Sequence, residues 1–181
     1  MAFFSNKNKL DLSTPLNFRQ SLRKNSDNLD KIFKPKIWVK ISKMHDSRAY
    51  MEEIEAFAKS GNAQCQELVA QWNIMLCEGE VDPNILKFGL RKAIEFGTLA
   101  SESGVATEAL NLPISLGQLG KILVEESGGE FTDEIEHIFR EMHRWSLSNS
   151  KNQALPVNER AQAEETARKL YEGMPGLFEG I

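Results

Sequence analysis

The stretch 60–104, SGNAQCQELVAQWNIMLCEGEVDPNILKFGLRKAIEFGTLASESG, constrains the fold more than any other part of the chain. Apolar residues recur at Cys65, Leu68, Val69, Trp72, Met75 and Leu76, in steps of three and four that mark one face of a helix. A second stripe runs through Leu86, Leu90, Ala93, Ile94, Gly97 and Ala100. Asn62 and Asp82 are expected N-caps, because their side-chain oxygens can accept from the free N–H groups of a first turn. Pro83 suits a first helical position, Gly79 a left-handed C-terminal cap, and Gly104 the end of the second helix. Neither stripe can be buried alone, and a short turn makes the two helices antiparallel neighbours. Small residues at 93, 97 and 100 let the backbones approach closely.

The pattern repeats. Lys59-Ser60-Gly61-Asn62-Ala63 and Glu102-Ser103-Gly104-Val105-Ala106 occupy similar places 43 residues apart, and Leu170-Tyr171-Glu172-Gly173 echoes Leu76-Cys77-Glu78-Gly79. Periods of about 34–47 residues belong to helical solenoids. On Ala58, Gly61, Asn62, Ala63, Gln66, Glu78, Gly79, Lys92, Ala93 and Phe96 the chain resembles the Sel-like repeat family, a relative of the tetratricopeptide repeats. One repeat matches well and its flanks match in part. The expected fold is all-α, with antiparallel helix hairpins stacked as a short right-handed α-solenoid. The resemblance implies a protein–protein interaction module, an adaptor or regulatory subunit that takes a peptide or partner domain on its curved face. On that reading Gln64, Glu67 and Gln71, polar residues of a first helix, line the binding groove.

Charge divides the chain unevenly. Residues 1–43 hold ten Lys or Arg against three Asp, a balance of +7, and the remainder carries −11. The expected organisation is a basic, partly disordered arm over 1–43 followed by a helical repeat domain over 44–181. An arm of this kind has three possible partners: the phosphates of a nucleic acid, an anionic membrane surface with Phe3 and Phe4 inserting, or an acidic protein surface, its own repeats included. Arg19, Arg23, Lys24, Lys34 and Lys36 are the arm's candidate contact residues. The acidic body would repel nucleic acid, so a nucleic-acid-associated protein is the alternative and another protein is the expected partner.

Within the arm, Thr14 or Ser13 is expected to cap a short helix from Pro15, with a break at 25–27 and a second helix carrying Leu29, Ile32 and Phe33. Lys36 to Lys43 fits a strand or a helix equally well. Asp46 is expected to cap a helix bearing Tyr50, Ile54, Phe57 and Ala58. Residues 105–126 predict one helix, with Ala106, Ala109, Leu110, Ile114, Leu116, Leu123 and Val124 inward. Pro113 inside it removes a backbone hydrogen bond and predicts a kink or break; either the helix packs tightly on a neighbour through Gly117 and Gly120, or it is split in two near residues 111–117. Thr132 should cap a helix with Ile135, Ile138, Phe139, Met142 and Trp145 facing in, ended by a polar loop over 146–153. Asn158 is expected to cap the last helix, with Ala161, Ala167, Leu170 and Tyr171 inward and Leu177 and Phe178 covering its end.

No reacting constellation emerges. His137 and His143 are six residues apart and face opposite sides of a helix, and neither HExxH nor Cys-x-x-Cys occurs. Ser115–Gly120 has a G-x-x-G spacing but no preceding strand, so it does not read as a phosphate loop. Cys65 and Cys77 sit twelve residues apart on one helix, about 18 Å, which is too far for a disulfide. Acidic runs such as Glu52-Glu53 and Glu164-Glu165 read as solvated helix surface. No stretch approaches the roughly 18 apolar residues of a membrane span, and MAFFSNKNKL lacks the apolar core of a secretory signal. The expectation is a cytoplasmic protein that is not an enzyme and needs no cofactor or metal.

Overall fold

In a computed structural model the structure describes residues 9–32 and 35–178. Among them every regular element is a helix. In order they are α1 (Pro15–Lys24), α2 (Leu29–Ile32), α3 (Pro35–Ser42), α4 (Ser47–Lys59), α5 (Ala63–Cys77), α6 (Pro83–Glu102), α7 (Ala106–Glu126), α8 (Asp133–Lys151) and α9 (Val157–Gly173). Short 3₁₀ turns follow at Ser26–Asn28 and Pro175–Leu177. The chain forms two compact units, 1–69 and 70–181, and their division falls inside α5. Phe3, Phe4, Phe33 and Lys34 lie outside the described residues.

In the first unit α1 lies against α4. Thr14 caps α1 by accepting from the Asn17 N–H at 3.1 Å. Phe18 and Leu22 are fully buried, and the Phe18 ring packs 5.3 Å from that of Tyr50. The Tyr50 hydroxyl donates to the Leu12 carbonyl at 2.9 Å, which ties the chain ahead of α1 to α4. The ambiguous stretch at 36–43 is helical, and it buries Ile41. Asp46 precedes α4, but its side chain makes no capping hydrogen bond.

The second unit is a run of helices in which α6 packs on α7, α7 on α8 and α8 on α9. A Cβ placed at Gly117 would meet Met142, one at Gly120 would meet Phe139, and the Asn149 amide reaches Ala109. Contacts climb α8 as they descend α7, so these two helices are antiparallel. Leu90, Leu112, Leu116, Leu119, Ile138 and Trp145 form the seam of α6, α7 and α8. Burying such side chains is worth about 1.5–3 kcal/mol each, which is what holds the stack.

The capping expectations for Asn62, Asp82 and Thr132 hold, with each side chain accepting from a first-turn N–H. Several inward assignments do not. Met75 and Leu76 are 44% and 52% exposed, whereas Gln66 and Asn73 are buried. The buried face of α5 runs through 65, 66, 69, 70 and 73, and Gln66 can lie there because its amide donates to the Ala58 carbonyl at 3.1 Å. On α7, Ile114 is exposed while Leu112 and Leu119 are buried. The last helix starts at Val157 after Pro156, two residues earlier than a cap at Asn158 allows, and Ala161 and Tyr171 face outward.

Two corrections matter most. First, α7 is one unbroken helix through Pro113. The glycine alternative is the one that holds, since Gly117 and Gly120 seat α7 against Met142 and Phe139. Second, the expected polar loop at 146–153 is mostly helix, because α8 continues to Lys151. Ser146 and Asn149 extend the inward stripe past Trp145 at the same spacing of three and four. Pro113 has no N–H to give the carbonyl four residues back, that of Ala109. The Asn149 amide donates to that carbonyl instead, at 2.5 Å.

The C-terminal segment closes the α8–α9 end as expected. Phe178 is buried with its ring 4.5 Å from that of His143, and Arg140 Nε donates to the Leu177 carbonyl at 3.1 Å.

Candidate functional site

Where α6 and α8 lie side by side over α7, they leave a groove of about 370 Å³. Its apolar lining comes from Ile94 on α6, Leu116 and Leu119 on α7, and Ile138 and Trp145 on α8. Its polar rim is Arg91, Glu95 and Thr98 on one side and Glu134, His137 and Glu141 on the other. The two sides are fixed by their caps, Asp82 before α6 and Thr132 before α8. Arg91 Nη2 meets Glu134 Oε1 at 2.6 Å and bridges α6 to α8 directly. Lys87 binds Glu126 at 2.6 Å and ties the start of α6 to the end of α7. The Arg144 guanidinium lies 4.5 Å from the Trp145 ring and binds Glu141 at 2.5 Å. The rim therefore holds three carboxylates against one arginine and a histidine. Glu95 makes no ion pair with any described residue.

The residues named from sequence are distributed otherwise. Gln64 and Glu67 belong to the first unit and Gln71 to the second, and all three are half-buried on α5. Gln64 Oε1 is enclosed without a donor among the described residues. Arg19 is already committed, with its Nε and Nη2 donating to the two carboxylate oxygens of Glu53, the Nη2 bond at 2.6 Å. That pairing holds the Arg19 guanidinium above its usual range. Arg23 is exposed in the last turn of α1, and Lys36 lies on α3 with its side chain outside the described set.

Lys24 reaches a different place. With Lys9 and Lys40 it lines a cleft of about 760 Å³ in the first unit, together with Asn17, Gln20 and Ser21. Neither Lys24 nor Lys40 pairs with a described carboxylate. Among the described lining residues the acid is Asp11, occupied by the hydroxyl and backbone N–H of Ser13, which hold its carboxyl below the usual range. Lys9 and Lys40 could not be singled out in sequence, because only the fold of the first unit brings them beside Lys24.

The thiols are poor nucleophiles. Burial pushes Cys65 up to about 12, and burial with the nearby Glu80 raises Cys77. Burial also lowers His143, which stacks on Phe178. Among the described residues no group of three His, Cys, Asp or Glu is placed to hold a metal ion, and no helix is long and apolar enough to cross a membrane. No protein-family model, no curated protein and no solved structure matches the chain.

Proposed function

We propose that the chain is a protein–protein interaction module without chemistry of its own, and that the α6–α8 groove receives a peptide segment of a partner. The groove's apolar lining and acidic rim carry this reading. They complement an apolar or aromatic side chain flanked by Lys or Arg, presented by an extended or helical segment. Consecutive helix pairs packed in chain order agree with a short right-handed α-solenoid, and so does the Sel-like resemblance of residues 58–96. The reading places the protein in the cytoplasm as an adaptor or regulatory subunit.

The test is selection of random displayed peptides on the full chain. Winners are expected to carry an apolar anchor beside basic residues. Thr98→Arg, which fills the groove and reverses its charge, should weaken them roughly tenfold or more without changing Tm. Absence of enrichment, or winners that bind the Thr98→Arg protein equally well, overturns the proposal.

A second reading rests on Lys24 and Lys40, which meet no described carboxylate and with Lys9 line one cleft that favours an anionic partner such as nucleic acid. It requires affinity that collapses with salt in a gel-shift experiment and disappears when Lys9, Lys24 and Lys40 are neutralised together.

A further inference from the structure

The groove between α7 and α9, over α8, holds a notch of about 230 Å³ lined by Pro113, Ser146, Asn149, Glu159, Gln162 and Thr166, among others. It differs in kind from the α6–α8 groove, because its innermost residues are polar. Ser146 is 0% exposed and Asn149 1%. Asn149 spends its amide nitrogen on the Ala109 carbonyl that Pro113 leaves free. That bond fixes the amide's orientation, and Asn149 Oδ1 then meets no donor among the described residues. Ser146 Oγ is likewise buried without a partner among the described residues. Buried polar atoms of this kind are rare in folded proteins, and each calls for a physical explanation.

The outer wall continues the same chemistry. Thr166 donates its hydroxyl proton to the Gln162 carbonyl at 2.9 Å, so its oxygen is left to accept. Glu159 is half-buried and forms no ion pair with a described residue. The notch is therefore lined by the oxygens of Asn149, Ser146, Thr166 and Glu159 beside the side-chain amides of Asn111 and Gln162, and Glu159 gives it a formal charge of −1. An anion is repelled there. One carboxylate is too few for a calcium site, which takes about six to eight oxygens. The volume exceeds the ~10–15 Å³ that one water needs and falls below the ~300 Å³ of ordinary ligand pockets.

We propose that this notch binds a small organic cation rich in N–H donors, a primary ammonium or a guanidinium. The group donates to Asn149 Oδ1 and Ser146 Oγ and neutralises Glu159. Such a group can arrive as a free amine or as the Lys or Arg side chain of a peptide. The proposal does not rest on the α6–α8 groove.

The experiment is an amide-resolved NMR titration of the full chain with methylguanidinium, methylammonium, tetramethylammonium and acetate. Methylguanidinium or methylammonium should shift the Asn149 side-chain amide and the backbone amides of 146–149 and 159–162, saturating near millimolar concentration. Tetramethylammonium, with the same charge and no N–H, should not. Glu159→Gln and Ser146→Ala, both mild in volume, should each weaken binding, the former by roughly tenfold, with Tm unchanged. A capped arginine peptide that binds as well as methylguanidinium assigns the site to a partner's side chain, and its exclusion assigns it to a free amine. Equal responses to tetramethylammonium and methylguanidinium, shifts that never saturate, or affinity untouched by Glu159→Gln would show a notch filled by solvent only and overturn the proposal.

Discussion

Asn149 stands in for the backbone donor that Pro113 lacks, and this substitution of one hydrogen bond for another can be measured. Asn149→Ala leaves the Ala109 carbonyl buried without a donor. An unsatisfied buried group costs about 1–3 kcal/mol, so a loss of about 2 kcal/mol is expected once the lost packing is added. For a chain of this size that lowers Tm by roughly 4–8 °C. Pro113→Ala changes the outcome. Residue 113 then has an N–H pointing at the carbonyl four residues back, and the side-chain donor becomes redundant. In that background Asn149→Ala should cost about 1 kcal/mol or less, a coupling of about 1–2 kcal/mol between two residues on different helices. The assay is urea unfolding of the four proteins, followed by ellipticity and tryptophan fluorescence. Equal losses from Asn149→Ala with and without the proline would refute the reasoning, because the amide would then be doing something unrelated to the missing N–H.

Gly89 lies against Cys77, and a Cβ there would come within 2.6 Å of the Cys77 sulfur. Gly89→Ala should therefore destabilise by about 1–3 kcal/mol. In a Cys77→Ala background it should instead stabilise by up to ~1 kcal/mol through helix propensity, and loss of the same size in both backgrounds would count against the contact. His143 is held below its ordinary value of 6.5 by burial against Phe178. The unfolded chain binds its proton more tightly, so the stability from a neutral His143 is complete above pH 6.5 and is lost as pH falls through that value toward the folded one. Melting curves from about pH 7.5 to 5.5 should fall more steeply for the wild type than for His143→Gln. Parallel curves would remove His143 from the account.

The legible parts of the fold were those written in strong local signals. Asn62, Asp82 and Thr132 cap where side-chain chemistry says they should, and the stripes of α6 and the first part of α8 are inward as their spacing predicts. Elsewhere the polarity of a side chain does not decide whether it is exposed. Gln66, Asn73, Ser146 and Asn149 are buried, and for Gln66 and Asn149 a bond to a backbone carbonyl on another helix shows why. No local pattern announces such a partner. The supposed loop at 146–153 was a helix whose inward positions happen to be Ser and Asn. Pro113 looked like a break because its compensating donor comes from a residue 36 positions away. The α6–α8 groove was invisible for a related reason, since Ile94 and Trp145 read as core until α7 is seen to leave a channel between their helices.

Charge pairing ranks the partner classes. In the second unit Lys87, Arg91, Lys121, Arg140, Arg144, Arg168 and Lys169 each meet a carboxylate. Carboxylates still remain over, and two of them, Glu95 and Glu159, stand on the α6–α8 groove and the α7–α9 notch. In the first unit Arg19, Arg48 and Lys59 are paired, while Lys24 and Lys40, around one cleft, meet no described carboxylate. Exposed ion pairs contribute little to stability, so the arrangement bears mainly on what approaches each surface and how fast. Concavities of the second unit suit lysine or arginine, and the cleft of the first suits phosphate or carboxylate. A nucleic acid satisfies only the latter and is repelled by the former. A polypeptide can carry both signs along its length, which is why the reading proposed above takes a protein partner ahead of a nucleic acid.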